Sequence, residues 1–191
     1  HGMVPCSRAL VPYADALAVA FVEEAVALRD GGVDHPILVM EGPFDTTDLA
    51  AIEQYGFAMV VHSHHQLEML AEKKRPLSNP IWLKADTGMH RLGLSPDAIP
   101  KAVEHLRRLG AGDIILMTHL ATAETPEDPI TQVQLSRWLE LTNALQLTTS
   151  LYNSAGLVGR LAGSSDWVRP GYILYGGQSD HPFNAAVTKP V

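Results

Sequence analysis

Short apolar runs alternate along the chain with longer stretches whose apolar positions recur three and four residues apart. An uninterrupted apolar run bounded by turn residues reads as a strand buried on both faces; the longer period reads as a helix packed by one face. Strands are thereby predicted at 14–19, 36–40, 57–61, 80–83, 114–118, 148–152 and 167–168. The helices between them carry their own punctuation. One runs over 21–29, with Val22, Ala25, Val26 and Leu28 near one face, and closes at Gly31-Gly32. Asp45 caps a helix over 46–54, and Ser63 with Gln66 forms a capping box for the helix carrying Leu67, Leu70 and Ala71. Ser95-Pro96 opens a helix reaching 109, Asp128-Pro129 opens one over 130–145, and a short helical turn runs from Asn153-Ser154 to 161.

Strands that alternate with helices, with no hairpin dipeptides between them, make a parallel sheet. No Gly-rich dinucleotide fingerprint follows the first strand, which counts against a nucleotide-binding sheet. The expected fold is α/β: a (β/α)8 TIM-type barrel of parallel strands, its first strand missing from this chain.

Composition narrows the function classes. A chain of 191 residues, 46% hydrophobic, can bury the core of one domain, residues 1–191. No apolar stretch is long enough to span a membrane. A formal charge of −7 without a basic stripe argues against nucleic acid. A single cysteine, Cys6, excludes an internal disulfide. His62-x-His64-His65 has metal-like spacing, but no cysteine or third ligand accompanies it and the Ser63 capping box explains the segment, so no metal is expected. Asp180 and His181 fall in a surface loop.

Chemistry gathers where strands end, the side of α/β folds on which ligands bind. The run through Leu83 empties into Lys84 and a Gly-punctuated turn carrying Arg91. His119 follows Leu116-Met117-Thr118, Asn153-Ser154 ends the next strand, and Arg169-Pro170-Gly171-Tyr172 ends the last. Each has an ordinary alternative: a charged loop, a hydrogen-bonded core histidine, a helix cap, a plain turn. In a barrel the four ends converge on one mouth. Backbone amides at Gly171 and Tyr172, opening a helical turn, suit the phosphate site common late in such barrels.

The segment Lys84-Ala85-Asp86-Thr87-Gly88-Met89-His90-Arg91-Leu92-Gly93 resembles the hallmark of the alanine racemases, fold-type-III enzymes that use pyridoxal 5'-phosphate. Pro36-Ile37-Leu38, Thr118-His119-Leu120-Ala121, Asn153-Ser154-Ala155, Val168-Arg169-Pro170-Gly171 and Tyr175-Gly176 are similar to further family motifs, in order. The resemblance implies that His119 lies beside the cofactor ring, and that Asn153, Ser154, Gly171 and Tyr172 form the phosphate site. By the same resemblance Arg169 donates to the pyridine nitrogen, and Arg91 lies near the cofactor's phenolic oxygen and the substrate carboxylate. Arg91 and His119 are then the catalytic positions. From chemistry alone a lysine at a strand end suggests a Schiff base. The family instead often carries a carbamylated lysine at this position, so Lys84 is assigned to positioning Arg91.

The family's Schiff-base lysine begins a segment whose last two residues look like His1-Gly2, which puts that lysine before residue 1. Its second, β-rich domain, which supplies the opposing tyrosine across a dimer interface, is expected after Lys189-Pro190-Val191; none of Tyr13, Tyr55, Tyr152, Tyr172 or Tyr175 matches that base. The implied whole is a cytoplasmic homodimeric isomerase interconverting L- and D-alanine, for cell-wall supply or catabolism, with these residues inactive alone. The alternatives are a non-catalytic barrel that binds the cofactor or a phosphate, and a broad-specificity amino-acid racemase.

Overall fold

The structure, a computed structural model, describes residues 2–73, 75–159, 161 and 165–177. His1, Asp180, His181 and the end at 189–191 lie outside the described residues. The chain divides into two compact units, His1–Leu83 with Lys101–Ile114, and Lys84–Pro100 with Ile115–Val191.

The first unit begins with α1 (Met3–Leu10) and a 3-10 turn at Val11–Tyr13. It continues through β1 (Leu17–Val19), α2 (Val22–Asp30), β2 (Ile37–Val39), α3 (Thr46–Tyr55), β3 (Ala58–Val61), α4 (His64–Ala71) and β4 (Ile81–Lys84). Beyond a 3-10 turn at Pro96–Ala98 that belongs to the second unit, α5 (Ile99–Arg108), mostly in the first, leads into β5 (Ile114–Met117), mostly in the second. The second unit holds α6 (Pro129–Leu145), β6 (Thr148–Asn153), α7 (Ser154–Val158), β7 (Trp167–Arg169) and α8 (Gly171–Leu174).

Strands β1 to β4 pair in parallel, as do β5 to β7, and the sheet follows chain order from β1 to β7. Every residue of β2, β4 and β5 is buried, the state their apolar runs predict, and in β4 the burial extends past the run to Lys84. Leu28, Ile52, Phe57 and Leu70 fill the first unit between strands and helices; Leu116, Met117, Trp138 and Leu151 do so in the second.

Helix punctuation follows side-chain chemistry. Asp45 accepts from the amides of Thr47 and Asp48 at 2.7 and 3.0 Å. Asp128 accepts from Ile130 at 2.7 Å, ahead of the proline that opens α6. Ser63 accepts from the Gln66 amide at 3.3 Å, but the Gln66 side chain reaches back to the amide of His62 rather than to Ser63 itself.

Three expectations change. Residues 3–10, given no element from the sequence, form α1; only Ser7 of that helix is buried, so no apolar stripe announces it. The first strand starts at Leu17, not residue 14, because pairing with β2 begins only at Leu17, opposite Ile37. Ser95 makes no side-chain cap: the turn after it is 3-10, and the Ala98 amide bonds the Ser95 carbonyl at 2.9 Å instead.

Candidate functional site

The second unit contains every residue that the strand-end pattern singles out: Lys84, Arg91, His119, Asn153, Ser154, Arg169, Gly171 and Tyr172. The loop after β4 closes on itself. Leu94 donates its amide to the Lys84 carbonyl at 2.9 Å, and Asp86 donates to Leu94 at 2.8 Å. Within that closure the Asp86 carboxylate accepts from the amides of Gly88 and His90, both at 3.0 Å. Those two bonds and the facing His90 imidazole, 3.2 Å from the other oxygen, hold the carboxyl below the usual carboxylate range against the opposing effect of burial. Gly93 makes the closure possible. Its φ is +134°, and a Cβ there would sit 2.6 Å from the Asp86 amide nitrogen. Lys84, last in its strand, is buried, whereas Arg91 is carried past the Asp86 turn and is exposed.

A bulge between β6 and β7 aims the other arginine. Ser150 faces Trp167 and Asn153 faces Arg169, so three steps on one strand match two on the other. From there the Arg169 guanidinium donates to the Ser150 hydroxyl and, at 2.5 Å, to the carbonyl of Thr118. Its pKa is pushed down to about 10 by burial, which still leaves it charged at neutral pH.

Next to Thr118 stands half-buried His119. Burial, and then the positive charges of Arg169, Lys84 and Arg91, push its imidazole down to about 4. At neutral pH the ring is therefore uncharged, although three cations act on it.

Asn153 caps α7, accepting from Gly156 at 2.9 Å, and its amide donates to the Leu120 carbonyl at 3.3 Å. The hydroxyl of buried Ser154 accepts from the amides of Tyr172 and Ile173 at 3.0 and 3.2 Å, where α8 begins. His119, Ser154, Arg169 and Tyr172 line a cavity of about 240 Å³, with Asn153 and Gly171 also in its wall. Lys84 and Arg91 are not in that lining, although the charge of each acts on His119.

The sequence reading missed several residues that hold this arrangement: Thr87, Thr118, Ser150, Gln134 and, in the cavity wall, Glu124. A signal existed for one of them. Thr131, Gln134, Trp138 and Leu141 are the buried positions of α6, at helical spacing, so a glutamine occupies an inward position.

A pyridoxal phosphate would need an acceptor-binding cluster for its phosphate, a donor for its ring nitrogen and a flat neutral neighbour for its ring. Ser154 with the α8 amides, Arg169 and neutral His119 meet these needs around one cavity. That cavity is smaller than the roughly 300–1,000 Å³ of sites for drug-sized ligands.

The family described as alanine racemase, N-terminal domain, matches residues 1–179. An alanine racemase of Xanthomonas campestris pv. campestris is 46% identical over 177 residues, covering 92% of this chain and 49% of that protein. A catabolic alanine racemase of Pseudomonas aeruginosa is 41% identical over 179 residues, covering 92% and 50% respectively. The crystal structure of the biosynthetic alanine racemase from Pseudomonas aeruginosa superposes with a TM-score of 0.91 at 34% identity, covering 100% of this chain and 54% of that one. The chain thus spans about half the length of the curated relatives it matches. With strands parallel and in chain order, that likeness makes the fold a (β/α)8 barrel, seven strands of which are described here.

Proposed function

The chain belongs to the alanine racemase family, and from that premise we propose that the intact protein interconverts L- and D-alanine with pyridoxal 5'-phosphate, this chain holding the cofactor. The observation that carries the reading is the Ser154 hydroxyl, paired with two amides at the start of α8 in the same cavity wall as Arg169 and His119. When bound, the cofactor supplies an electron-withdrawing ring that delocalises the charge left on Cα as its proton departs.

Ser154, whose hydroxyl orders the Tyr172 and Ile173 amides, and the Gly171 amide would hold the phosphate, and Asn153 keeps Ser154 in place by capping α7. Arg169 would meet the ring nitrogen as a donor that keeps its own proton, which would disfavour protonation of that nitrogen and limit side reactions. Neutral His119 presents a flat face to the ring. Arg91 binds the substrate carboxylate, and Lys84, once carbamylated, supplies the negative charge that orients Arg91. Racemisation also needs proton transfer on both faces of Cα. An imidazole held near 4 has almost no proton to give at neutral pH, so His119 is not the donor, and the two transfers are assigned to residues of the intact protein that the roles above leave unnamed. The 191 residues alone then do not turn over alanine. The intact enzyme works as a cytoplasmic homodimer.

The test uses the product of the full reading frame with added pyridoxal phosphate. D-alanine formed from L-alanine, measured by coupling to a D-amino-acid oxidase, supports the proposal. Cofactor binding without turnover would replace it with a non-catalytic binding barrel, and equal rates on many amino acids with a broad-specificity racemase.

A further inference from the structure

Gln134 lies inside α6, wholly buried, and spends both ends of its amide on two different strand-end segments. Its carbonyl accepts from the Ala121 amide at 2.8 Å. Its NH₂ donates to the carbonyl of His119 at 3.0 Å and to the hydroxyl of Thr87 at 3.3 Å. The first two contacts fix the chain after β5 on both sides of Leu120. The third grips the loop after β4 four residues before Arg91.

Neighbours extend the grip. Thr87 is fully buried and pairs with the Thr118 hydroxyl at 2.8 Å, which also bonds the Ala85 carbonyl at 2.9 Å. Arg137, on the same helix, donates to the Thr87 carbonyl at 3.0 Å. Gly88 packs so closely that a Cβ there would lie 3.1 Å from Cγ of Gln134. Thr131, one turn earlier, donates to the Thr122 carbonyl at 2.8 Å.

A buried primary amide with all these partners is costly to replace by anything that cannot both donate and accept. We infer that Gln134 is a positioning residue: from inside α6 it holds the Thr87–Gly88 turn and the His119–Ala121 segment in one register, and so fixes Arg91, on the substrate side, relative to His119, on the cofactor side. The inference rests on the racemase reading for its catalytic consequence, but the register itself is a property of the protein.

The experiment uses the full-length protein loaded with pyridoxal phosphate, with Gln134→Leu and Gln134→Glu. Amide hydrogen exchange is followed over peptides covering 86–94, 119–123 and α6. Turnover is measured with cofactor occupancy determined separately. Gln134→Leu is expected to lose protection by about tenfold or more in both loop segments while α6 keeps its own. Its kcat per loaded site is expected to fall by a similar factor, since misplacing site groups by about 1 Å costs up to about 10². Gln134→Glu should recover part of both properties as pH falls from 8 to 6, because a protonated carboxyl can again donate as well as accept. Gln134→Leu exchanging like the unaltered protein in either loop overturns the inference. So does exchange rising evenly through α6 and the loops, or kcat unchanged with only stability lost. If Gln134→Leu does not fold, absence of any pH-dependent recovery in Gln134→Glu overturns it equally. Should the unaltered protein not racemise alanine, the functional proposal fails, and the exchange pattern still decides the role of Gln134.

Discussion

Arg169, at the end of β7, donates to the carbonyl of Thr118 at 2.5 Å and so stands against the residue that precedes His119. A guanidinium bonded there holds positive charge beside an imidazole already depleted of solvent, and the ring stays neutral as a result. The site's chemistry follows from this pairing: one group always charged, its neighbour always uncharged, at neutral pH.

That neutrality has a cost on acidification. His119 titrates at about 4 in the folded protein against an ordinary 6.5. Between those values the unfolded chain takes up a proton that the folded one refuses, so stability falls as pH drops from 6.5 towards 4, and the effect is absent above 6.5. His119→Gln should flatten this part of the curve. Urea unfolding midpoints from pH 7.5 to 4.5 are the measurement: the variant should gain on the unaltered protein progressively below 6.5. A constant difference would remove His119 as the cause.

Ser154→Ala removes the acceptor shared by the Tyr172 and Ile173 amides. A stability loss of about 1 kcal/mol is expected, as for other lost caps. If Ser154 also contacts the phosphate, a bond to a charged group worth about 1.5–3 kcal/mol goes with it, and the Kd for pyridoxal phosphate rises about 10–100-fold. Fluorescence titration of the full-length protein measures that change. An unaltered Kd would confine Ser154 to capping α8.

Gly93→Ala should be more damaging than its exposure suggests. The new Cβ would meet the Asp86 nitrogen at 2.6 Å and the Ala85 carbonyl carbon at 2.9 Å, both backbone atoms that cannot swing aside. Adding the strain of φ +134°, the loss should exceed about 2 kcal/mol, with the Lys84–Leu94 closure opened. Denaturant unfolding gives the magnitude, and tryptic cleavage after Arg91 should quicken. A loss below about 0.5 kcal/mol would mean that the turn has slack.

The parts of this molecule legible in its sequence are those where one physical demand dominates. Strands buried on both faces must be apolar throughout, and β2, β4 and β5 stood out for that reason. Asp45, Asp128 and Asn153 marked helix starts because orphan amides need acceptors. The α1 helix, with one buried residue, offered no such demand. Within the site, His119, Ser154 and Arg169 were visible as polar groups directly after apolar runs, and the structure brings them to one cavity. Lys84 was read into the same concavity and Arg91 to its mouth, yet neither lines the cavity: Lys84 ends inside the strand layer, and the Asp86 turn carries Arg91 outward. Gln134 and Ser150 went unnoticed because a polar residue inside a helix or strand reveals its partners only once the chain is folded.

Arg169 offers a direct separation of site chemistry from architecture. Two donations, to Ser150 and to Thr118, need the guanidinium fork; a lysine has the charge without the fork. Arg169→Lys should therefore weaken the β6–β7 region but keep His119 titrating well below 6.5, because a cation remains beside it. Arg169→Glu reverses the local field. Its carboxylate favours the imidazolium, so the His119 pKa should climb from about 4, while burial, the larger cause, and the charges of Lys84 and Arg91 continue to hold it down. In the loaded full-length protein the same carboxylate would accept rather than donate at the ring nitrogen, and the absorbance of the bound cofactor in the presence of alanine should change, with slower racemisation. Histidine carbon-13 NMR of the two variants, beside their absorption spectra, tests both consequences. If Arg169 only fastens a turn, Lys and Glu will lower stability alike and leave the His119 titration and the spectrum where they were; that result would remove Arg169 from the cofactor site.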